Sequence, residues 1–319
     1  MTHPSNSREH GRDAGPGVRV PPARASHGTR ANAAREAAGP PVGRLYANEL
    51  LKLVARKRSH IGFGAFLALE IAFLALLHLP RVRATIERLL SRNGLPVEQY
   101  FSGTTVAVMI VALTILFLGA LFIALVAGDI VAKEAEDGTL RMLLCRPVSR
   151  LQLLAAKVLA CGTYSCALIF FIGVSALAMG LAYRGWGSLF VFSPAEDVFA
   201  FHPPWPGLSR YALAIVVLAF TTQTFTAVAF MFSCFNMKPA AATILTLAGC
   251  FIDLLLRMTP YFESIREWFL THHMAVWIHL FETYIPWARL AEALVFLAAW
   301  DITFVAVGIA HFLQRDIRS

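Results

Sequence analysis

Charge is what this sequence has least of. Only 15% of its 319 residues are Asp, Glu, Lys or Arg, where soluble domains carry about 25%. Lysine is scarcer still, with five in the chain: Lys52, Lys57, Lys133, Lys157 and Lys238. None follows a glycine, so the Gly-Lys-(Ser/Thr) step that carries a lysine to nucleotide β- and γ-phosphates is missing. ATP hydrolysis by that chemistry is excluded, and any ATPase serving this chain is expected to be a separate polypeptide. The HExxH and GxSxG patterns are missing too, which argues against an intramembrane enzyme. Cys145, Cys161, Cys166, Cys234 and Cys250 form no CxxC pair and read as small apolar residues in reduced form. His272 and His273 are adjacent, diverge on a helix and lack an accompanying ligand set, so no metal site is expected.

What the sequence does have is apolar length. It is 57% hydrophobic with a mean hydropathy of +0.60, the profile of a membrane protein. About twenty helical residues at ~1.5 Å each cross the ~30 Å hydrocarbon core. By that test six spans are expected, over 61–80, 104–127, 158–182, 211–234, 239–256 and 291–313. Residues 1–43 are rich in Gly, Pro, Ala, Arg and His and lack large apolar side chains, so they read as a disordered basic tail. The first long apolar run starts only at Ile61, too late for a cleaved secretory signal.

The net charge of +8 would suggest nucleic acid in a soluble chain, but its distribution says otherwise. Residues 1–60 hold eleven basic and four acidic groups, and the remainder is almost neutral. With both termini in the cytoplasm, nineteen basic residues fall inside and nine outside, which satisfies the positive-inside rule. A multi-pass protein of a bacterial-type inner membrane is expected, with no nucleic-acid partner. The outer segments 183–210 and 257–290 are rich in Trp, Phe, Tyr and Pro, as at headgroup level, and 262–280 suits a short interfacial or re-entrant helix.

The most informative stretch is the loop after the second span, from Gly128 to Lys157. Lys133, Glu134, Glu136 and Asp137 form a polar segment that Gly138-Thr139 breaks. Leu140, Leu143 and Leu144 then make a short apolar stripe at helical spacing, Pro147 stops it, and Ser149 can cap the next helix. A helix lying across the cytoplasmic mouth would present charge to a soluble partner with its leucines in the interface.

Here the chain resembles the permease subunits of the ABC-2 family of ATP-binding-cassette transporters. The matching loop positions are Glu134, Glu136, Gly138, Thr139, Leu140, Leu143, Leu144, Pro147, Val148, Ser149, Arg150 and Lys157. A second match is Asn48-Glu49-Leu50-Leu51-Lys52 with Arg56, Lys57 and Arg58, similar to that family's amphipathic elbow helix, and a third is the ending Phe312 to Ile317. The resemblance covers about residues 44–317. It implies an all-α fold of six transmembrane helices, an N-terminal elbow helix carrying Glu49, Lys52 and Arg56, and a coupling helix between spans two and three. It further implies an ABC ATPase partner holding ATP and Mg, no cofactor on this chain, and a second permease copy in a homodimer or related heterodimer. The expected roles are ATPase contact for Glu134, Glu136 and Arg141, the turn for Gly138-Thr139, and anchoring for Leu140 and Leu144. ATP-driven transport, in the export direction, is the expected function.

Polar residues inside the spans are the candidate pathway groups. Glu70 sits mid-span, where a carboxyl costs ~2.5 kcal/mol or more unless protonated, paired or hydrated. It either lines a route or makes a packing hydrogen bond. Gln223 and Thr224 lie in a polar run of span four, Thr221 to Thr226, that either lines the route or packs helices together. Asp253 and Arg257 are four apart and are expected to pair along one helix face. If Glu70 and Asp253 coupled an ion instead, the chain would be a secondary transporter or channel.

Overall fold

A computed structural model describes residues 42–82, 84, 88, 101–139 and 149–314. These belong to one compact unit, Pro40–Ser319. The expected tail falls almost wholly outside the described residues, as do Leu140, Arg141 and Leu144 of the expected coupling helix.

Helix α1 (Val42–Ala55) precedes α2 (Lys57–Leu77), and Arg56 between them is extended, which turns the chain sharply. Next come α3 (Gly103–Thr114), a π-helical segment (Ile115–Gly119) and α4 (Ala120–Glu136), joined without a break. Helix α5 (Arg150–Arg184) is the longest. Its start is set by Ser149, whose Oγ accepts the Gln152 N–H at 3.1 Å, the cap expected from the sequence. Gly185, at φ 75°, ends it. Strands β1 (Leu189–Ser193) and β2 (Val198–His202) form an antiparallel hairpin with Leu189 opposite His202. Helices α6 (Pro204–Thr221) and α7 (Gln223–Cys234) are divided at Thr222, and α8 (Pro239–Met258) starts on a proline at its first position. Two 3₁₀ segments (Pro260–Trp268 and Ala275–Phe281) flank α9 (Leu270–Met274), and α10 (Trp287–Gln314) closes the described chain.

Among the described residues, five stretches are long and apolar enough to cross a membrane: Lys57–Leu77, Arg150–Arg184, Pro204–Cys234, Pro239–Met258 and Trp287–Gln314. The expected second span, 104–127, is helical throughout, but the π segment divides it into helices of 12 and 17 residues. A π turn inserts one residue into the helical ladder and re-aims the side chains beyond it.

Helix α5 runs through the centre, and its buried positions include Leu154, Ala160, Tyr164, Leu168, Ile172 and Ala176. Its closest approach is to α3. A Cβ on Gly103 would lie 2.6 Å from the Gly185 carbonyl and 2.7 Å from that of Gly180, and a Cβ on Gly180 would strike the Gly103 carbonyl. Backbone packs on backbone there, the close association that small residues allow between helices in lipid. The hairpin's alternation follows the two-residue period: Leu189, Val191, Val198 and Ala200 are buried, while Phe192 and Phe199 are exposed.

Candidate functional site

One end of the helix assembly is held by buried charge. Lys157 of α5 is 0% exposed, and its Nζ lies 2.6 Å from Glu49 Oε2 and 2.7 Å from Glu134 Oε2, with the Ile130 carbonyl at 3.3 Å. The ammonium donates hydrogen bonds to Glu49 and to the Ile130 carbonyl, while Glu134 Oε2 faces it as an ion-pair partner without a hydrogen bond. Lys52 completes the group, 2.6 Å from Glu49 Oε1 and 3.6 Å from Glu134 Oε1. The four side chains alternate in sign and sum to zero charge. Burial alone would raise the Glu49 carboxyl, but Lys157 and then Lys52 outweigh it and hold it below the usual carboxylate range. Nearby, Arg58 Nη1 donates to Asp129 Oδ2 at 2.7 Å, tying the start of α2 to α4. Tyr46 of α1 and Thr163 of α5 share a hydrogen bond at 2.9 Å. The cluster therefore locks three elements together: the helix before the first span, the end of α4 and the start of α5.

This arrangement reassigns Glu134. A surface position facing a partner was expected, yet it is 6% exposed and points inward, toward Lys157, which lies about two turns into α5 and is fully buried. The groups left on the surface are Glu136 and Asp137, which hold Lys133 at 3.0 and 3.2 Å. Gly138 follows at φ 70°, the left-handed conformation a glycine adopts most easily, and Thr139 Oγ1 donates back to the Glu134 carbonyl at 3.3 Å. Arg56 forms the turn between α1 and α2 and takes no part in the cluster.

The polar groups expected along a pathway sit between helices. Glu70 is 0% exposed and accepts from Ser175 Oγ of α5 at 2.8 Å. Gln223 Nε2 donates to Ser165 Oγ of α5 at 3.0 Å and to the Ala219 carbonyl at 2.8 Å. Thr224 is also 0% exposed and faces Asp301 of α10. Gln223 and one oxygen of Glu70 thus bridge neighbouring helices, while Glu70 Oε2 and Thr224 Oγ1 are buried without a hydrogen-bond partner among the described residues.

At the opposite end of the helices, the segment 260–281 folds over the end of α8 together with the hairpin tip. This overturns the expected Asp253–Arg257 pair. Asp253 instead accepts the backbone N–H groups of Leu270 at 3.3 Å and Thr271 at 2.8 Å, while Arg257 pairs with Glu196 and donates to the Thr271 carbonyl at 2.7 Å. The cap offers each of them a nearer partner than the other. Arg210 donates to the carbonyls of Leu280, Glu282 and Thr283, and His202 meets the Phe281 carbonyl at 2.7 Å. His272 is held down to about 4, by burial first and then by Arg257, His273, Arg266 and His279. Among the described residues no group of His, Cys, Asp and Glu could hold a metal.

Beneath this cap lies a chamber of about 1130 Å³, and a second, polar pocket of about 630 Å³ abuts it on the outside. Ala195, Glu196, Glu263 and Arg266 line both and form the wall between them. The chamber takes Ile115 from the π segment and Thr221, Thr222 and Phe225 from the α6–α7 break, but neither Gln223 nor Thr224. Sequence reasoning missed the hairpin and the cap pairs. The short, aromatic-rich apolar runs Leu189–Ser193 and Val198–His202, separated by Pro194, Glu196 and Asp197, were the available signal for the hairpin; the cap pairs, up to 73 residues apart, left none.

A central long helix, several membrane-crossing neighbours and a buried charge cluster at one end define a polytopic membrane protein. The family model of the ABC-2 family transporter proteins matches residues 44–317, and the chain belongs to that family. It is also similar to the Bacillus subtilis (strain 168) protein named "Uncharacterized protein YhcI", at 33% identity over 70 residues, which is 22% of either chain.

Proposed function

We propose that this chain is the six-span permease subunit of an ABC transporter, with α3, the π segment and α4 together serving as the second span. Both termini lie in the cytoplasm of a bacterial-type cell, α1 is the elbow helix, and residues 140–148 dock a separate ATPase that holds ATP and Mg. Two permease copies, identical or related, flank the path, and ATP hydrolysis drives export.

The observation that supports this reading best is the cluster of Glu49, Lys52, Glu134 and Lys157. It ties the elbow helix, the docking loop's first residues and the base of α5 into one unit. A push on the exposed Glu136–Asp137 end therefore moves spans rather than bending a loop, as in other rigid-body helix shifts. Glu136 and Asp137 take the role of partner contacts, and Glu134 that of a positioning residue.

Purifying the tagged full chain from membranes and probing for an accompanying P-loop ATPase tests the proposal. Glu136→Lys with Asp137→Lys should strip the ATPase away while membrane insertion stays intact. An undisturbed complex refutes the docking site. Transport by the isolated chain in a proton gradient would favour the ion-coupled alternative.

A further inference from the structure

We propose that the chamber under the cap is a binding site for an acyl-chain amphipath with an anionic head, entered sideways from the bilayer, with Arg266 at the head position. The inference deepens the transport reading by naming a cargo class, but binding itself requires no ATPase.

The shape of the site carries the first part. Its α8 wall runs from Ile244 to Met258, roughly 21 Å at ~1.5 Å per residue, or about two thirds of a ~30 Å hydrocarbon core. That length suits an extended hydrocarbon tail. Ile244, Phe251 and Met258 line the chamber and are also 64%, 60% and 66% exposed, so its mouth opens on the apolar flank of the protein. A tail can pass from lipid into this space without crossing water, and so without a hydrophobic penalty. The other walls are the π segment and the α6–α7 break, two places where helical ladders are interrupted. Such interruptions open space that regular ridge-into-groove packing would fill.

The polar rim carries the second part. Arg257 is committed to Glu196, whereas among the described residues Arg266 donates only from Nη2 to the Ala195 carbonyl, at 3.3 Å. Arg266 Nε is buried with no hydrogen-bond partner in the protein, and so is Thr271 Oγ1, which lines the same end of the chamber. A buried donor left unmet costs about 1–3 kcal/mol, and natural proteins keep few of them. Both atoms are closed off from the chamber as it stands, so the acceptor oxygens of a carboxylate or phosphate would meet them once the Arg266 and Thr271 side chains turn toward it, on a wall that Glu263 shares. An arginine meets either one through two parallel N–H groups.

Trp277 lines the chamber and supplies a reporter. The full chain, purified in nonionic detergent, would be titrated with dibromostearate, with brominated-chain lysophosphatidylglycerol and with the uncharged dibromostearyl alcohol. Bromine in contact quenches indole, and the component that disappears in Trp277→Phe reports the chamber. Both acids should quench it. Arg266→Gln should weaken that quenching about tenfold or more, as expected for a lost charged hydrogen bond, with Arg266→Lys in between and the alcohol unaffected. Ala248 lines the chamber and is exposed, so Ala248→Phe should block all three probes without disturbing the core. An Arg266-dependent response to the lysophospholipid alone identifies a lipid headgroup as the ligand, and a response to stearate alone identifies a free fatty acid. Equal affinity for the alcohol, or quenching indifferent to Ala248→Phe, overturns the proposal. Both results are independent of whether an ATPase associates with the chain.

Discussion

Replacing Lys157 by Met should be the most damaging single change at the end of the helix assembly that holds the buried charges. The substitution keeps the length of the side chain and removes its charge. It leaves Glu49 and Glu134, 3% and 6% exposed, facing each other where both had held one ammonium at 2.6 and 2.7 Å. Lys52 alone cannot compensate, since it lies 2.6 Å from Glu49 but 3.6 Å from Glu134. Breaking a buried ion pair by removing one partner costs about 3–5 kcal/mol, because an uncompensated charge stays behind. Adding Glu134→Gln should recover part of this loss, since the remaining Lys52–Glu49 pair is balanced. The double mutant should therefore be more stable than Lys157→Met alone, a non-additivity of roughly 0.5–3 kcal/mol. Denaturant titration of the purified chain, followed by proteolytic susceptibility of α1, measures both. The cluster also predicts acid sensitivity. The Glu49 carboxyl is held low in the folded protein, so its contribution is complete above the ordinary range near ~4.3 and is lost as pH falls below it. If Lys157→Met loses less than ~1 kcal/mol and Glu134→Gln then adds its own separate cost, the four side chains are not one energetic unit and the argument is wrong.

The other predictions concern packing and the far end. Gly180→Val should destabilise the α3–α5 contact by ~1–3 kcal/mol or more, because the new side chain meets the Gly103 carbonyl; wild-type thermal stability would show that the helices separate freely. Gln223→Leu removes the bond to Ser165 and should cost only ~0.6 kcal/mol, with transport retained; lost transport at normal expression would restore Gln223 to the pathway. His272, at about 4 in the folded cap, is neutral at neutral pH but takes a proton near ~6.5 once the cap opens. The open form then binds more protons, so cap stability falls as pH drops from about 6.5 toward 4. Hydrogen exchange over 270–281, corrected for intrinsic rates, should quicken on that path and do so less in His272→Gln; a pH-independent profile contradicts this.

Much of the architecture was legible because apolar length and helix rise are local properties. The spans at 61–80, 158–182, 211–234, 239–256 and 291–313 all fall on observed helices, and Ser149 could be named as a cap from the residues around it. The break at Thr222 and the π segment were not legible, since Thr221–Thr222 and Gly119 only weaken a helix and such residues also sit inside unbroken ones. Whether Glu134 faces outward or inward could not be read either, because the answer depends on Lys157, 23 residues later.

By itself the sequence determined, through apolar length and composition, that this is a membrane protein and where its charge concentrates, while the resemblance to the ABC-2 family rested on the motif in the loop from Gly128 to Lys157. Only the tertiary structure decided which charges are paired. Glu49 and Lys157 stand 108 residues apart, and Glu196 and Arg257 stand 61 apart. In a chain with so few charges, an ionised group that leaves water must find a partner wherever the fold brings one. The pairings therefore follow from helix packing, and the chamber between the helices follows from the places where that packing is interrupted.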